Sequence, residues 1–341
     1  MPAEVAESLA PPPVEAVFGI SLSRVTLINL SAQVGIVLSG GAVRLTGSGL
    51  GCPTFPSCTD EDFFPTPELE INGVIEFANR TLTGVVGVIA LVTWYAVWRL
   101  RRRDLFLSAF GVLLGIVGQV LLGGVTVLTG LNPWTVAAHF LVSMALVATA
   151  ARLHLRSRDP ALVRTPLTGR RRLLVTAIAA DLGLALVLGT VTTGSGPHSG
   201  DPEAGRTGLD VAIMSRIHAE SVYLLIGLTI VLILLTRNGP QAVNRAAWWV
   251  LAAEVVQGVI GITQYFTDLP RPLVSAHMLG AALLVVATAR LWFLALSPLP
   301  GASRPDALAR PEPGQGESAV GHANDSGREG ERRAGGNVGG A

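Results

Sequence analysis

Long apolar stretches with few charged residues dominate the chain. A helix that crosses the hydrocarbon core of a bilayer needs about 20 mainly apolar residues, so stretches of that length predict membrane spans. Eight such windows occur, and they cover approximately residues 25–43, 81–98, 105–128, 133–151, 173–191, 211–235, 246–266 and 272–296. The third and fourth windows are separated only by Gly130-Leu131-Asn132-Pro133, a sequence typical of a tight break between helices. We therefore predict an all-α integral membrane protein with eight transmembrane helices.

The overall composition agrees with a membrane protein. Of the 341 residues, 50% are hydrophobic and 14% are charged, whereas about 25% are charged in an ordinary soluble domain. This composition excludes a soluble globular protein. The formal net charge of +1 gives no reason to expect nucleic acid as a partner. The apolar composition instead predicts that membrane lipid surrounds the protein.

Arginine residues predict the orientation of the chain. They cluster after the second, fourth and sixth windows, within residues 101–103, 156–172 and 237–245. Because cytoplasmic loops carry an excess of basic residues, we expect these loops and both termini to be cytoplasmic. We interpret residues 1–23 as a disordered cytoplasmic leader and residues 297–341, rich in Gly, Pro, Ser and Arg, as a disordered cytoplasmic tail.

An internal repeat divides the chain into two halves. At an offset of 138 the sequence around the third window matches that around the seventh, and the identities place Gln119, Gly123, Thr129, Leu131, Val136, Ala138 and His139 on Gln257, Gly261, Thr267, Leu269, Val274, Ala276 and His277. A second match places residues 46–49 on residues 193–196, which share the sequence Thr-Gly-Ser-Gly. We predict two pseudo-symmetric four-helix bundles, residues 24–153 and 173–296, joined by a cytoplasmic linker of residues 154–172. An even number of spans in each half gives both halves the same orientation in the membrane.

Four positions in this repeat carry the candidate chemistry. An offset of 139 places His218 opposite Asn79, and together with His139 and His277 these residues lie near the outer ends of even-numbered spans. We expect them to form one layer near the outer leaflet, with two residues facing each other across each bundle.

Facing histidines in a helical bundle are typical ligands of haem iron. His218 and His277 are therefore a candidate pair of axial ligands in the second half. In the first half His139 faces Asn79, a poor iron ligand, so a haem there would have one open side, as substrate or oxygen chemistry requires. The alternative interpretation of each histidine is a polar side chain that hydrogen-bonds to a neighbouring helix; three of them at repeat-related positions favour iron ligation.

Three charged residues near the layer of histidines and Asn79 each have two possible interpretations. Glu76 lies one turn from Asn79 and can exchange protons at the open side of a haem, or it is an acid placed favourably at a helix N-terminus. Arg44 and Arg80 are candidates to bind haem propionates, or they are interfacial side chains whose charged ends reach towards water. Asp181, Glu254 and His198 have no role that the spacing defines.

The two cysteines, Cys52 and Cys58, lie in the loop after the first window. They can form one disulfide bond, and the outer, oxidising side of the membrane favours it. Spacing alone does not decide between a structural and a redox-active bond, although a short exposed loop favours a labile one.

Over about residues 24–296, the sequence resembles the haem A synthase family of cytochrome oxidase assembly. The landmarks are GGAVRLTGSGLGCPTFPSC after the first span, IEFANR at the second, AHF in the fourth, TGSGPHSGD after the fifth, RIHAES in the sixth and SAHM in the eighth. The resemblance implies a bacterial plasma-membrane enzyme that oxidises the C8 methyl group of haem O to the formyl group of haem A by successive hydroxylations. It also implies a b-type haem in the second half and a catalytic first half.

Residue by residue, the resemblance assigns roles at matching positions. His218 and His277 would bind haem b, His139 would serve the substrate haem, and Glu76 matches an essential carboxylate. Cys52 and Cys58 match a cysteine pair of the outer loop. The common motif ends in His-Arg where this chain has Asn79-Arg80, a form that resembles an actinobacterial branch. Oxygen from O2 or water, a haem O synthase that delivers the substrate, and an electron donor are the other partners that the resemblance implies.

Two other functions explain part of the same pattern. A b-type cytochrome would only pass electrons, and it would give Asp181 and Glu254 a place on a proton path. A haem carrier would bind haem at His139 without changing it. A secondary transporter fits less well, because no span is clearly interrupted at mid-membrane in both halves.

Overall fold

The computed structural model describes residues 16–17, 19–158 and 167–296. The predicted tail lies outside these residues, as do most of the predicted leader and the middle of the predicted linker. The described end of the leader is ordered: the strands β1 (Ala16–Val17) and β2 (Ile20–Ser21) form a short antiparallel hairpin, and the first helix begins directly after it.

Eight long helices make up most of the remaining described chain. They are α1 (Leu22–Thr46), α2 (Glu70–Arg99), α3 (Arg103–Leu128), α4 (Pro133–Arg158), α5 (Gly169–Ser195), α6 (Val211–Thr236), α7 (Gln241–Phe266) and α8 (Arg271–Leu296). A single 3₁₀ turn, Pro67–Leu69, precedes α2. All eight are long and apolar enough to cross a membrane, which confirms the prediction of a multi-pass, all-α membrane protein.

The predicted windows correspond to the apolar middles of longer helices. The second window began at residue 81, but α2 begins at Glu70, because helical structure continues through the polar residues that a hydropathy window leaves out. Likewise α4 continues to Arg158 and α5 begins at Gly169, so the linker between the halves is shorter than the predicted 154–172.

Each half forms a closed ring of four helices. In the first half α1 packs against α2, α2 against α3, α3 against α4, and α4 returns to α1. The second half repeats this order with α5, α6, α7 and α8. The helices α2 and α4 are therefore diagonal in one bundle, as α6 and α8 are in the other. This common arrangement supports two pseudo-symmetric bundles.

The two bundles share one apolar core. Contacts between the halves involve α1 with α8, α4 with α8, and α4 with α5. Buried side chains such as Val147 on α4, Ile178 on α5 and Leu291 on α8 belong to one continuous cluster. Leu107 and Phe266, in contrast, are 80% and 78% exposed, as expected for helix faces that contact lipid.

Candidate haem sites

His218 on α6 and His277 on α8 face each other across the second bundle. Their ring centres are 6.5 Å apart and the ring planes are inclined by 81°. A metal between two imidazoles, with metal–nitrogen distances of about 2 Å, separates the ring centres by roughly 6 Å. The diagonal position of α6 and α8 produces this spacing, so the pair fits axial ligation of one haem iron.

One ring nitrogen of each histidine in the layer is buried without a hydrogen bond to any described residue. Nδ1 of His139, His218 and His277 is buried without a hydrogen-bond partner among the described residues. A buried polar group in a protein normally has a partner, and the cost of lacking one is greater in a membrane. The alternative, a hydrogen bond from the ring to a neighbouring helix, is therefore not met at Nδ1; for His218, a backbone hydrogen bond with Ala185 on α5 leaves both interpretations standing.

Glycine residues make room for all three imidazole rings. A Cβ atom at Gly123 would lie 3.4 Å from Cε1 of His139, and a Cβ at Gly261 would lie at the same distance from Cε1 of His277. A Cβ at Gly189 would approach Cε1 of His218 to 3.2 Å. The repeat contained Gly123 and Gly261 as identities, whereas sequence reasoning missed Gly189.

Two glutamines hold repeat-related histidines in the same way. The side-chain amide of Gln119 on α3 donates to the carbonyl oxygen of His139 at 2.9 Å, and that of Gln257 on α7 donates to the carbonyl oxygen of His277 at 2.8 Å. Gln119 donates in addition to Oγ of Ser143 at 2.6 Å. The repeat found in the sequence therefore corresponds to a repeated structural contact.

Asn79 occupies the fourth position of the layer but makes a different contact. Its Oδ1 accepts a hydrogen bond from Oγ of Ser39 on α1 at 2.8 Å. The amide oxygen is thereby engaged with a neighbouring helix. In the register that places residues 46–49 on 193–196, Ala42 is the counterpart of Gly189, so this half has a methyl group where the other half has none.

Glu76 and Arg80 form one ionic cluster with the loop that contains the cysteines. Glu76 is 5% exposed; its Oε2 accepts from the backbone N–H of Cys52 at 2.7 Å, and its Oε1 accepts from Arg80 at 2.6 Å. Arg80 also donates to the carbonyl oxygens of Cys52 at 2.8 Å and Ser57 at 3.1 Å. Both side chains therefore stabilise the loop through hydrogen bonds to its backbone. Binding of a propionate by Arg80 or proton exchange by Glu76 stays a prediction, and each needs an exchange of these partners.

Cys52 and Cys58 form the disulfide bond, and neither is exposed to solvent. The expectation of an exposed loop is therefore wrong, because the loop folds back over the end of the first bundle, and the lability of the bond stays a prediction. The ring of Phe55, in the middle of the loop, lies against Gly124 on α3, next to the glycine that faces His139. We call residues 52–58 the capping loop.

Arg44 connects the two halves instead of facing open space. Its Nε donates to the carbonyl oxygen of His198 at 2.5 Å, and its terminal nitrogen donates to the carbonyl oxygen of Thr193 at 3.2 Å. The ring of His198 in turn donates from Nε2 to the carbonyl oxygen of Leu269 at 2.9 Å. A role of Arg44 in binding a haem propionate stays a prediction, and His198 is a bridge between two connections of the second half.

Comparison with known proteins assigns this chain to a family. Residues 23–197 match the family described as "Cytochrome oxidase assembly protein", which is just over half of the chain. The chain belongs to this family. The matched part contains the whole first bundle and α5, and with them Glu76, Asn79, His139 and the capping loop.

Individual relatives of the family carry the name "Heme A synthase". The protein from Bacillus licheniformis is 31% identical over 140 residues, which are 40% of this chain and 45% of the relative. The protein from Shouchella clausii is 32% identical over 160 residues, or 44% and 51% of the two chains. That from Bacillus pumilus is 36% identical over 126 residues, or 35% and 40%. The chain thus spans about half the length of the curated relatives it matches.

Proposed function

We propose that the protein is a haem-dependent membrane oxidase that converts haem O to haem A, by successive hydroxylation of the C8 methyl group to a formyl group, for the assembly of cytochrome c oxidase. The spacing of the His218 and His277 rings carries the proposal, because it fits a haem held from both sides. The names of the relatives supply the reaction, and the family supplies its place in oxidase assembly.

The two bundles have different tasks in this proposal. His218 and His277 bind a haem b, which supplies one-electron transfer when bound. His139 binds the substrate haem from one side, while the Ser39 hydroxyl holds the amide of Asn79 away from ligation of the other side. Oxygen from O2 or water reaches that open side. The haem layer lies near the outer leaflet, with both termini in the cytoplasm.

The residues around the first site position the substrate and exclude water. Gln119 fixes the backbone of His139, and Gly123 allows the ring to lie close to α3. The capping loop closes the end of the bundle, with Glu76 and Arg80 as its anchor. A carboxylate one turn from Asn79 is placed to exchange a proton with the substrate site when an anchor contact opens. Transfer of haem O directly from a haem O synthase is consistent with a site that opens at this end.

Mass spectrometry of extracted haems tests the function. The chain is expressed together with a haem O producer, and its membranes are compared with those of a vector control. Haem A or its hydroxylated precursor is expected only when the chain is present. Haem O and haem B alone, with a folded protein that binds haem through two histidines, would instead indicate an electron-transfer cytochrome or a haem carrier.

A matched variant separates chemistry from binding. His139→Ala removes the proposed substrate ligand and leaves the pair in the second bundle intact. We expect loss of haem A formation with an unchanged spectrum of the second-half haem. Product formation at the wild-type rate would exclude His139 from the substrate site.

A further inference from the structure

Two acidic side chains lie buried in the second bundle, beneath the histidine layer. Asp181 on α5 is 7% exposed and Glu254 on α7 is 1% exposed. Both carboxyl groups are buried within the packed helices of the second half, on the diagonal helices α5 and α7 of its ring. Oε1 of Glu254 accepts a hydrogen bond from Thr229 on α6 at 2.8 Å, whereas Oε2 of Glu254 and Oδ2 of Asp181 are buried without a partner among the described residues.

The pair lies near the haem ligands without contacting them. Glu254 precedes Gln257 by three residues, about 4.5 Å along the helix axis, and Gln257 holds the backbone of His277. Asp181 precedes Gly189 by eight residues, about 12 Å, and Gly189 faces His218. At such distances in a medium of low dielectric constant, a charge on the pair and a charge on the haem interact strongly.

Neither acid has a basic counterion among the described residues. The other titratable or charged side chains closest to this layer on the helices packed against α5 and α7 are His218, Glu220 and Tyr223 on α6, His277 and Arg290 on α8, and His139 and Arg152 on α4. Glu220 is exposed and pairs with Arg216. Tyr223, Arg290 and Arg152 are exposed on the outside of the bundle. Two buried carboxylates without a cation cannot both be ionised at modest cost, so the pair holds at least one proton.

The first bundle contains no such pair at the equivalent positions. In the register of the repeat, Val34, Ala90 and Ile116 are the counterparts of Asp181, Thr229 and Glu254. Ala90 and Ile116 are 1% and 6% exposed, so hydrocarbon replaces Thr229 and Glu254 there, and the buried polar neighbour of Val34, Gln33, is an uncharged amide. Packing therefore does not require the acids, and they occur in the half whose histidines are paired.

We propose that Asp181 and Glu254 form a proton-binding site that is coupled to the oxidation state of the haem between His218 and His277. The inference rests on the proposed haem site. When the haem iron gains one electron from a reductant, one proton from water binds to the remaining carboxylate of the pair, and both groups are then carboxylic acids. When the electron leaves, the same proton dissociates, so the buried charge of the bundle stays constant.

A redox titration at several pH values tests the coupling. The purified, haem-loaded protein is titrated with dithionite between pH 6 and pH 9, and the midpoint potential is read from the haem absorbance. For one proton per electron, each tenfold change in proton concentration shifts the potential by up to about 59 mV, and the potential falls as the pH rises. We expect Glu254→Gln and Asp181→Asn to lose at least half of this slope.

Controls keep the test specific. Glu203→Gln removes an exposed acid of the connection between α5 and α6, and it is expected to keep the wild-type slope. Asp181→Val introduces the side chain of the first bundle and replaces Asp181→Asn if that variant does not fold. In reduced-minus-oxidised infrared spectra, a carboxylic-acid band sensitive to D2O is expected in the wild type and not in Glu254→Gln.

The outcomes distinguish this inference from the proposed function. A protein that binds no haem through His218 and His277 would overturn both. A bound haem whose potential does not change with pH, or changes equally in the wild type and both acid variants, would overturn only the proton site.

Discussion

The contact between the capping loop and α3 leads to a prediction with a defined magnitude. A Cβ atom at Gly124 would lie 2.6 to 2.8 Å from three ring atoms of Phe55, whereas ordinary carbon contacts begin near 3.5 Å. The ring cannot yield at its tip alone, because Cγ is among the three atoms. Gly124→Ala must therefore displace the capping loop from the end of the first bundle.

Gly118 on the same helix provides the control. A Cβ at Gly118 would meet no atom within 4 Å, so Gly118→Ala adds only helix propensity, a gain of roughly 0.5–1 kcal/mol. Gly124→Ala has the same gain, but overpacking opposes it by about 1–3 kcal/mol. We expect Gly124→Ala to be the less stable of the two variants by that difference.

Two measurements on the purified variants check the reasoning. Thermal unfolding compares the stabilities, and alkylation after brief exposure to a thiol reductant reports how accessible the disulfide bond has become. Both cysteines are fully buried in the wild type, so we expect slow reduction there and in Gly118→Ala, and faster reduction in Gly124→Ala. Equal reduction rates in the two variants would refute the assignment of Phe55 as the contact that holds the loop.

Three further variants test the candidate sites. His277→Ala should abolish the low-spin spectrum of a haem with two histidine ligands, and an unchanged absorption spectrum would exclude this site. Glu76→Gln should retain that spectrum but stop formation of haem A. Loss of the charged hydrogen bond with Arg80 should also lower the free energy of unfolding by about 2 kcal/mol. Haem A formation at the wild-type level, measured by mass spectrometry, would contradict a role of Glu76 in the reaction. Asn79→His combined with Ala42→Gly should give the first-half haem a second histidine ligand, and electron paramagnetic resonance would detect the second low-spin haem; its absence would show that position 79 does not reach the iron.

The sequence predicted the spans and the repeat well, because both depend on regular patterns. Hydropathy depends on the local sequence, and it located all eight helices, although it missed their polar ends at Glu70 and Gly169. The offset of 138 matches Gln119 with Gln257 from the sequence alone, and the structure contains the same hydrogen bond at both residues. Periodic features of this kind need no knowledge of the tertiary fold.

Contacts made by the connections were not predictable in the same way. Arg80 was expected to face a haem, yet carbonyl groups of the capping loop surround its guanidinium group. Arg44 reaches a connection of the other half, more than a hundred residues away in sequence. Both contacts depend on how irregular segments fold back over the bundles, and no periodicity in the sequence encodes that path.

The differences between the bundles form a consistent set. The features that both share fix one histidine each: a glutamine on the backbone carbonyl and a glycine beneath the ring. The differing features occur at two levels. In the histidine layer, Gly189 and His218 of the second bundle correspond to Ala42 and Asn79 of the first. In the layer beneath, polar groups of the second bundle correspond to hydrocarbon.

These differences agree with the division of labour that we propose. A haem that stores an electron in a membrane benefits from a nearby group that takes up the compensating proton, and two fixed ligands keep its geometry similar in both oxidation states. A substrate haem needs an open side at the iron, and because Glu76 is proposed to exchange its protons, this half needs no acid in the layer beneath. One scaffold meets both needs because the substitutions lie in two layers, while the packing between α1, α4, α5 and α8 stays common to both halves.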